Sequence, residues 1–125
     1  MRSRFAAFAL GLGPYLVHTL AAGHPDRALP AADLARELGR AKDRQRFLDL
    51  CILHASMEGE HGEVLFHARI FERGEDHSFA ELSEFVREGG AWRYASGLLV
   101  PGASLPADVK SLDRATFVAL AAAAL

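Results

Sequence analysis

The sequence predicts an α+β domain in which helices come first and an antiparallel sheet follows from Phe47 onward. Early in the chain, apolar side chains recur with helical spacing, most clearly in the stripe Phe5, Phe8, Ala9 and Leu12. After Phe47 the period changes to two, as in the one-sided set Val64, Phe66, Ala68 and Ile70. Adjacent glycines, Gly89 and Gly90, then supply the positive φ angles that a tight hairpin turn needs.

Three helices are predicted ahead of the sheet. The first spans residues 2–10 and carries the apolar stripe on its buried side. The second spans residues 14–22 and opens at Pro14, because proline fits the first turn of a helix. The third spans residues 31–44, and Gly39 favours an early end to it.

The sheet is predicted as a four-stranded antiparallel meander with a helix after it. Its first two strands span residues 47–57 and 63–73, and the last two flank the turn at residues 88–90. A final helix is predicted over residues 112–124. The side chains expected to dock that helix are Phe117 and Leu120.

Composition excludes several classes of function. At 125 residues, half of them hydrophobic and 24% charged, the chain suits one ordinary globular domain. A net charge of −2 with interspersed signs argues against nucleic acid as a partner, and no apolar run approaches the ~20 residues of a membrane helix. Cys51 is the only cysteine, which excludes an internal disulfide and predicts a cytoplasmic protein.

One strand face mixes aromatic and polar side chains, namely Phe79, Glu81, Ser83 and Phe85, and past the turn Trp92 and Tyr94 share a face. So many aromatic side chains predict that this face is buried. A buried carboxylate needs a partner, so Glu81 is expected to pair with an arginine of the first helix, either Arg4 or Arg2, of which Arg4 is favoured. The alternative is that Glu81 serves as a pocket acid or base.

Metal and nucleophile chemistry have little support in the sequence. No histidine pair shows the helical spacing of a zinc site among His18, His24, His54, His61, His67 and His77. We therefore expect no metal and no cofactor. Ser83 lacks the glycines of a nucleophile elbow, and Cys51 is interpreted as a small buried apolar residue.

Six short segments carry a resemblance to a known family. They read MRSRFAAF at residues 1–8, YLVHT at 15–19, HP at 24–25, VLFHAR at 64–69, ELSEF at 81–85 and GAWRY at 90–94. In this order and spacing they resemble the middle domain of YchJ-like proteins. The sequence departs from that family where residues 20–23 are inserted before the His-Pro, where Phe47 replaces a tryptophan, and where Leu82 and Glu84 replace basic residues.

The resemblance implies a nuclear transport factor 2-like (NTF2-like) fold, also called SnoaL-like. In this fold a curved antiparallel sheet wraps around helices as a cone. The implied domain covers residues 1–100, and residues 101–125 form a linker and an extra C-terminal helix. Family members usually carry cysteine-rich SEC-C motifs, thought to bind zinc, on either side of this domain. Neither motif occurs in this sequence, so we expect a member without them or a segment of a longer protein.

Two functions are open at this stage. The first is a non-catalytic binding or interaction domain, and the second is a SnoaL-like cyclase or isomerase that moves protons inside the cone. The expected pocket or buried polar cluster consists of Arg4, Tyr15, Glu81, Ser83, Trp92 and Tyr94. A small-molecule ligand and a homodimer are also expected. The dimer would form through a sheet face that the helices need not cover, bearing Leu65, Phe71, Leu82 and Val86. A cavity of ~300 Å³ or more with converging polar groups would favour the enzyme.

Overall fold

The computed structural model describes residues 1–123 and has the predicted α+β architecture. The helices are α1 (Arg2–Leu10), α2 (Gly13–His18), α3 (Ala31–Gly39), α4 (Ala41–Arg44) and α5 (Arg114–Ala123), with 3₁₀ turns at Pro25–Ala28, Gly102–Ser104 and Val109–Ser111. The strands are β1 (Arg46–Glu58), β2 (His61–Glu72), β3 (Glu75–Asp76), β4 (Phe79–Glu88) and β5 (Ala91–Pro101).

The sheet is an antiparallel meander in the order β1-β2-β4-β5, and the two-residue strand β3 pairs with the end of β2. The predicted hairpin at Gly89 and Gly90 is confirmed, since both have positive φ angles of 58° and 80°. The register shifts once beyond Phe47, once beyond Ile52 and once beyond Glu84. Such bulges bend strands, which is how the sheet curves into a cone.

The concave face of the sheet packs against the N-terminal helices. Its buried centre is Phe66, Ala68 and Ile70 on β2, against which Phe5 of α1 and Phe79 of β4 pack. The Phe5 ring meets Phe47 edge to face at 5.7 Å between centroids. The strand parity read from the sequence therefore assigns these residues to the correct face.

The convex face is covered by α5. The predicted dimer assumed that this face was uncovered. A continuous apolar cluster joins sheet and helix through Leu65, Ala80, Leu82, Val100, Leu112, Phe117 and Ala121. Leu65 is fully buried and Leu82 is only 8% exposed. The prediction that these two leucines lie on an uncovered face that binds a second copy is therefore wrong. Phe117 docks the helix as predicted, Leu120 packs beside it, and the predicted helix end at Ala124 lies outside the described residues.

The N-terminal helices differ from their predictions in three ways. Leu12 is 47% exposed, whereas Arg4 and Ala7 are buried, because Gly11 adopts a left-handed cap that turns the chain away. α2 ends early because the chain beyond His18 leaves the helix and forms an isolated bridge to β5, between Leu20 and Tyr94. The third helix breaks after Gly39 into α3 and α4, as the glycine suggested.

Candidate functional site

A polar cluster lies on the concave face where β4 and β5 pair. Ser83 and Tyr94 both donate hydrogen bonds to Oε2 of Glu81, the Tyr94 bond being 3.1 Å long. Ser83 is completely buried and Glu81 is half-buried. The β-bulge after Glu84 pairs Phe85 with Tyr94, which brings the tyrosine hydroxyl back to Glu81.

Gly97 makes room for this cluster. A Cβ at Gly97 would lie 2.5 Å from the Glu81 carboxylate and closer still to the Tyr94 hydroxyl. Any larger residue would therefore displace the two side chains. Sequence reasoning missed this role, although an isolated glycine inside a strand signals the close approach of another group.

Arg4 contributes the positive charge of the site, from the buried side of α1. It donates to the Leu16 carbonyl at 2.9 Å and to the Thr19 hydroxyl. Its guanidinium carbon also lies 4.8 Å from the centre of the Tyr94 ring, within the range of a cation–π contact. Burial lowers the pKa of the Arg4 guanidinium, and these contacts keep the buried charge satisfied.

The predicted ion pair between Arg4 and Glu81 is wrong. Among the ion pairs of residues 1–123 none joins these two side chains, and Tyr94 contacts both of them instead. The reason is that Leu16 lies in the last turn of α2, where carbonyl groups lack helical partners and attract a cation. Arg4 therefore bonds to the helix end, and Glu81 is held by two hydroxyl groups.

Tyr94 is one of the two hydrogen-bond donors to Glu81. Burial raises the pKa of its hydroxyl well above 10, and the neighbouring negative charge of Glu81 raises it further. The phenol therefore stays protonated at neutral pH and continues to donate to Glu81.

A cavity of about 310 Å³ lies inside the cone beside this cluster. Six aromatic rings line its wall: Phe5, Phe8, Phe47, Phe66, Phe79 and Tyr94. The polar side chains that reach it are Arg4, His24, Asp26 and Glu81. His24 and Asp26 were not predicted as site residues, although the His-Pro segment was part of the family resemblance.

A second cleft, of about 530 Å³, opens on the other side of Arg4, and Met1 and Arg4 line both spaces. Tyr15 and Trp92 line only this outer cleft. Trp92 is 38% exposed rather than buried, because it lies at the open end of the sheet, where Arg87 stacks on its ring. The six predicted site residues thus divide between the interior cluster and the outer cleft.

Residues 1–123 contain neither a metal-ligand cluster nor a membrane-spanning helix. Within that range no three histidine, cysteine, aspartate or glutamate side chains lie together as metal ligands would. No helix there is long and apolar enough to span a bilayer. Cys51 is a free, half-buried thiol, so it is less buried than its interpretation as a core residue implied.

Comparison with known proteins gives consistent matches. Residues 1–97 match the family described as the middle NTF2-like domain of YchJ. The chain is 38% identical over 99 residues to a UPF0225 protein of Chromobacterium violaceum, covering 79% of this chain and 70% of the relative. It is 38% identical over 97 residues to a UPF0225 protein of Polaromonas naphthalenivorans, covering 78% of this chain and 65% of that relative.

A solved structure shares the fold. The solution structure of a SEC-C motif containing protein from Rhodopseudomonas palustris is 35% identical, with a TM-score of 0.65. The match covers 78% of this chain and 73% of that protein. Helix α5 lies beyond the residues that match the family.

Proposed function

This chain belongs to the family of YchJ middle, NTF2-like domains, and from that premise we propose that it is a non-catalytic domain that binds a small molecule inside its cone. The observation that carries the proposal is the 310 Å³ cavity, which has aromatic walls and one polar side. Ligand sites in proteins are mostly apolar cavities of ~300–1,000 Å³ with a few polar groups that orient the ligand. This cavity is at the small end of that range.

The polar side of the cavity favours binding over catalysis. Oε2 of Glu81 already accepts two hydrogen bonds, and Arg4 is already bonded to the end of α2. Tyr94 stays protonated. Groups fixed to one another in this way orient a ligand well but exchange protons poorly.

The arrangement also suggests the chemistry of the ligand. Arg4 offers a donor and Glu81 an acceptor on the same side of an aromatic cavity. A small uncharged molecule with a planar ring and an amide-like head would match both groups without adding a net charge. Benzene occupies an engineered cavity of ~150 Å³, so a single-ring ligand fits this one. The proposal includes a cytoplasmic location, which the single cysteine supports.

Benzamide is a suitable probe, because its ring matches the wall and its amide both donates and accepts. We expect its NMR titration to shift the amide signals of residues around the cavity. Ala68→Leu, which fills the cavity, should abolish the shifts. Ala55→Leu is the matched control, because Ala55 lines only the outer cleft and should leave binding intact. Shifts that are absent, or lost only in Ala55→Leu, would reject the interior site.

The enzyme remains a second candidate because of one observation. Within residues 1–123, both hydrogen bonds to Glu81 end on Oε2, which leaves Oε1 unbonded beside the cavity. A carboxylate oxygen in that position can remove a proton next to a carbonyl group. Phenylacetone in D₂O tests this: catalysed exchange of its α-hydrogens that disappears in Glu81→Gln would establish the enzyme over the non-catalytic domain.

A further inference from the structure

The sheet has two edge strands, and they differ in how well they are protected. Edge strands present unpaired backbone groups, and proteins guard them with charges, bulges or a covering segment. β1 carries charged or ionisable side chains along its length, at Arg46, Asp49, His54 and Glu58, and its register with β2 shifts twice. Both features discourage another strand from pairing with it.

β5 is protected over its first part only. The segment after α2 contacts it at one position, where Tyr94 donates its N–H to the Thr19 carbonyl and its carbonyl accepts from the Ala21 N–H, both at 2.7 Å. From Ala95 to Val100, backbone hydrogen bonds to residues 1–123 are made only with β4, on the inner side. This open edge, residues 95–100, is mostly exposed to solvent.

The open edge also lacks the usual deterrents. It reads Ala-Ser-Gly-Leu-Leu-Val, without a charged residue or a proline. Leu98 is 41% exposed and Leu99 is 49% exposed, and because successive strand side chains point to opposite faces, each face of the edge offers one leucine. An uncharged, apolar edge of this kind is a template for strand addition.

We propose that the open edge pairs antiparallel with the same edge of a second copy, so that one sheet continues through both. Around the two-fold axis of such a pair, the residue on the axis lies opposite its own copy, and the residues on either side lie opposite residues equally far along the other strand. Charges of the same sign that meet there would repel. The open edge carries no charge, whereas pairing β1 with a second copy of itself would bring its charged side chains into the interface. A foreign strand recognised by charge complementarity would find no charge to pair with here.

The geometry sets the limits of the interface. Pairing cannot extend beyond Tyr94, where the segment after α2 already occupies the edge, or through Pro101, which has no N–H to donate. Six residues from each copy make a small interface, in the class below ~1,200 Å² that characterises weak complexes. The dimer is therefore expected to depend on concentration. It leaves the convex face under α5 undisturbed.

Sedimentation equilibrium of the full chain, from micromolar to millimolar concentration, tests the proposal. The mass should rise from 13.5 kDa towards twice that value. Leu98→Lys places a charge near the middle of the paired segment, close to the same charge on the second copy, and should weaken the dimer by ~tenfold or more. Leu48→Lys, on the other edge strand and 49% exposed, is the matched control and should dimerise like the wild type. A monomer throughout, or an equal effect of both substitutions, would overturn the proposal.

Amide hydrogen exchange of the unsubstituted chain gives a second readout that does not depend on the folding of a variant. Exchange at residues 95–100 should slow as the protein concentration rises, because their outward N–H groups become bonded in the dimer. Slowing confined to β1, or to the helices around the cavity, would assign the contact to a different surface and overturn the pairing of β5. The result is independent of whether benzamide binds.

Discussion

The two faces of the same sheet are covered in different ways. On the convex face, α5 lies against β2, β4 and β5, and Leu65, Ala80 and Phe117 are completely buried. On the concave face, the N-terminal helices leave a cavity of about 310 Å³, although six aromatic rings line its wall. Strand alternation assigns apolar residues to both faces, so hydrophobicity alone does not explain the difference.

The difference follows from the polar groups on the concave face. Glu81 and Arg4 keep their hydrogen bonds only while their partners stay in place. Apolar side chains packed directly onto them would strand the charges, at a cost of several kcal/mol. The apolar cluster on the convex face joins the sheet to α5 through side chains that need no hydrogen-bond partners, so the helix can pack directly onto them. A packed face contributes stability, and a face with hydrogen-bonded charges keeps room for a ligand.

The largest expected effect comes from opening the packed face. Phe117→Ala removes a fully buried ring from the contact between α5 and the sheet, and should lower the free energy of unfolding by about 3–5 kcal/mol. Urea denaturation measures the loss. Val118→Ala, one position along and 38% exposed, is the control and should stay within ~0.5 kcal/mol of the wild type. Similar losses in both variants would mean that α5 is not held by Phe117.

A smaller effect is expected from adding a side chain to the polar cluster on the concave face. Gly97→Ala adds a Cβ where the Glu81 carboxylate and the Tyr94 hydroxyl lie, so the free energy of unfolding should fall by about 1–3 kcal/mol. Gly23→Ala is the matched control, because a Cβ there meets nothing within 4 Å. Benzamide affinity should fall only in the Gly97 variant. A Gly97→Ala variant as stable as the wild type would show that the cluster yields easily.

What the sequence predicted well was local. The parity that places Phe79, Glu81 and Ser83 on one face depends only on strand geometry, and the Gly89-Gly90 turn depends only on φ. These features hold in the structure.

What it predicted poorly depends on distant partners. Arg4 donates to the carbonyl of Leu16, twelve residues away at the end of α2. This carbonyl competes with Glu81 for the arginine, and the competition cannot be predicted until the end of α2 is known. The sequence of α5 did not predict that this helix covers Leu65 and Leu82, because it is rich in alanine, which offers little contact area. The alanines pack well only because Phe117 holds the helix against the sheet. Gly97 and the outer position of Trp92 likewise depend on pairing across strands.

The smallest expected effect concerns the polar contact at the rim of the packed face. Arg114, the first residue of α5, donates two hydrogen bonds to Glu63 of β2, at 2.5 and 3.2 Å, and this contact holds the pKa of Glu63 below its ordinary 4.5. A carboxylate with a lowered pKa in the folded state stabilises the fold above pH 4.5 and loses that contribution as the pH falls through the folded pKa.

Arg114→Met should therefore be slightly less stable than the wild type at neutral pH, and the difference in the free energy of unfolding should disappear well below pH 4.5. Glu63→Gln should show the same pH-dependent loss, and combining the two substitutions should add little, whereas a gap that stays constant with pH would show that Arg114 acts on α5 without Glu63.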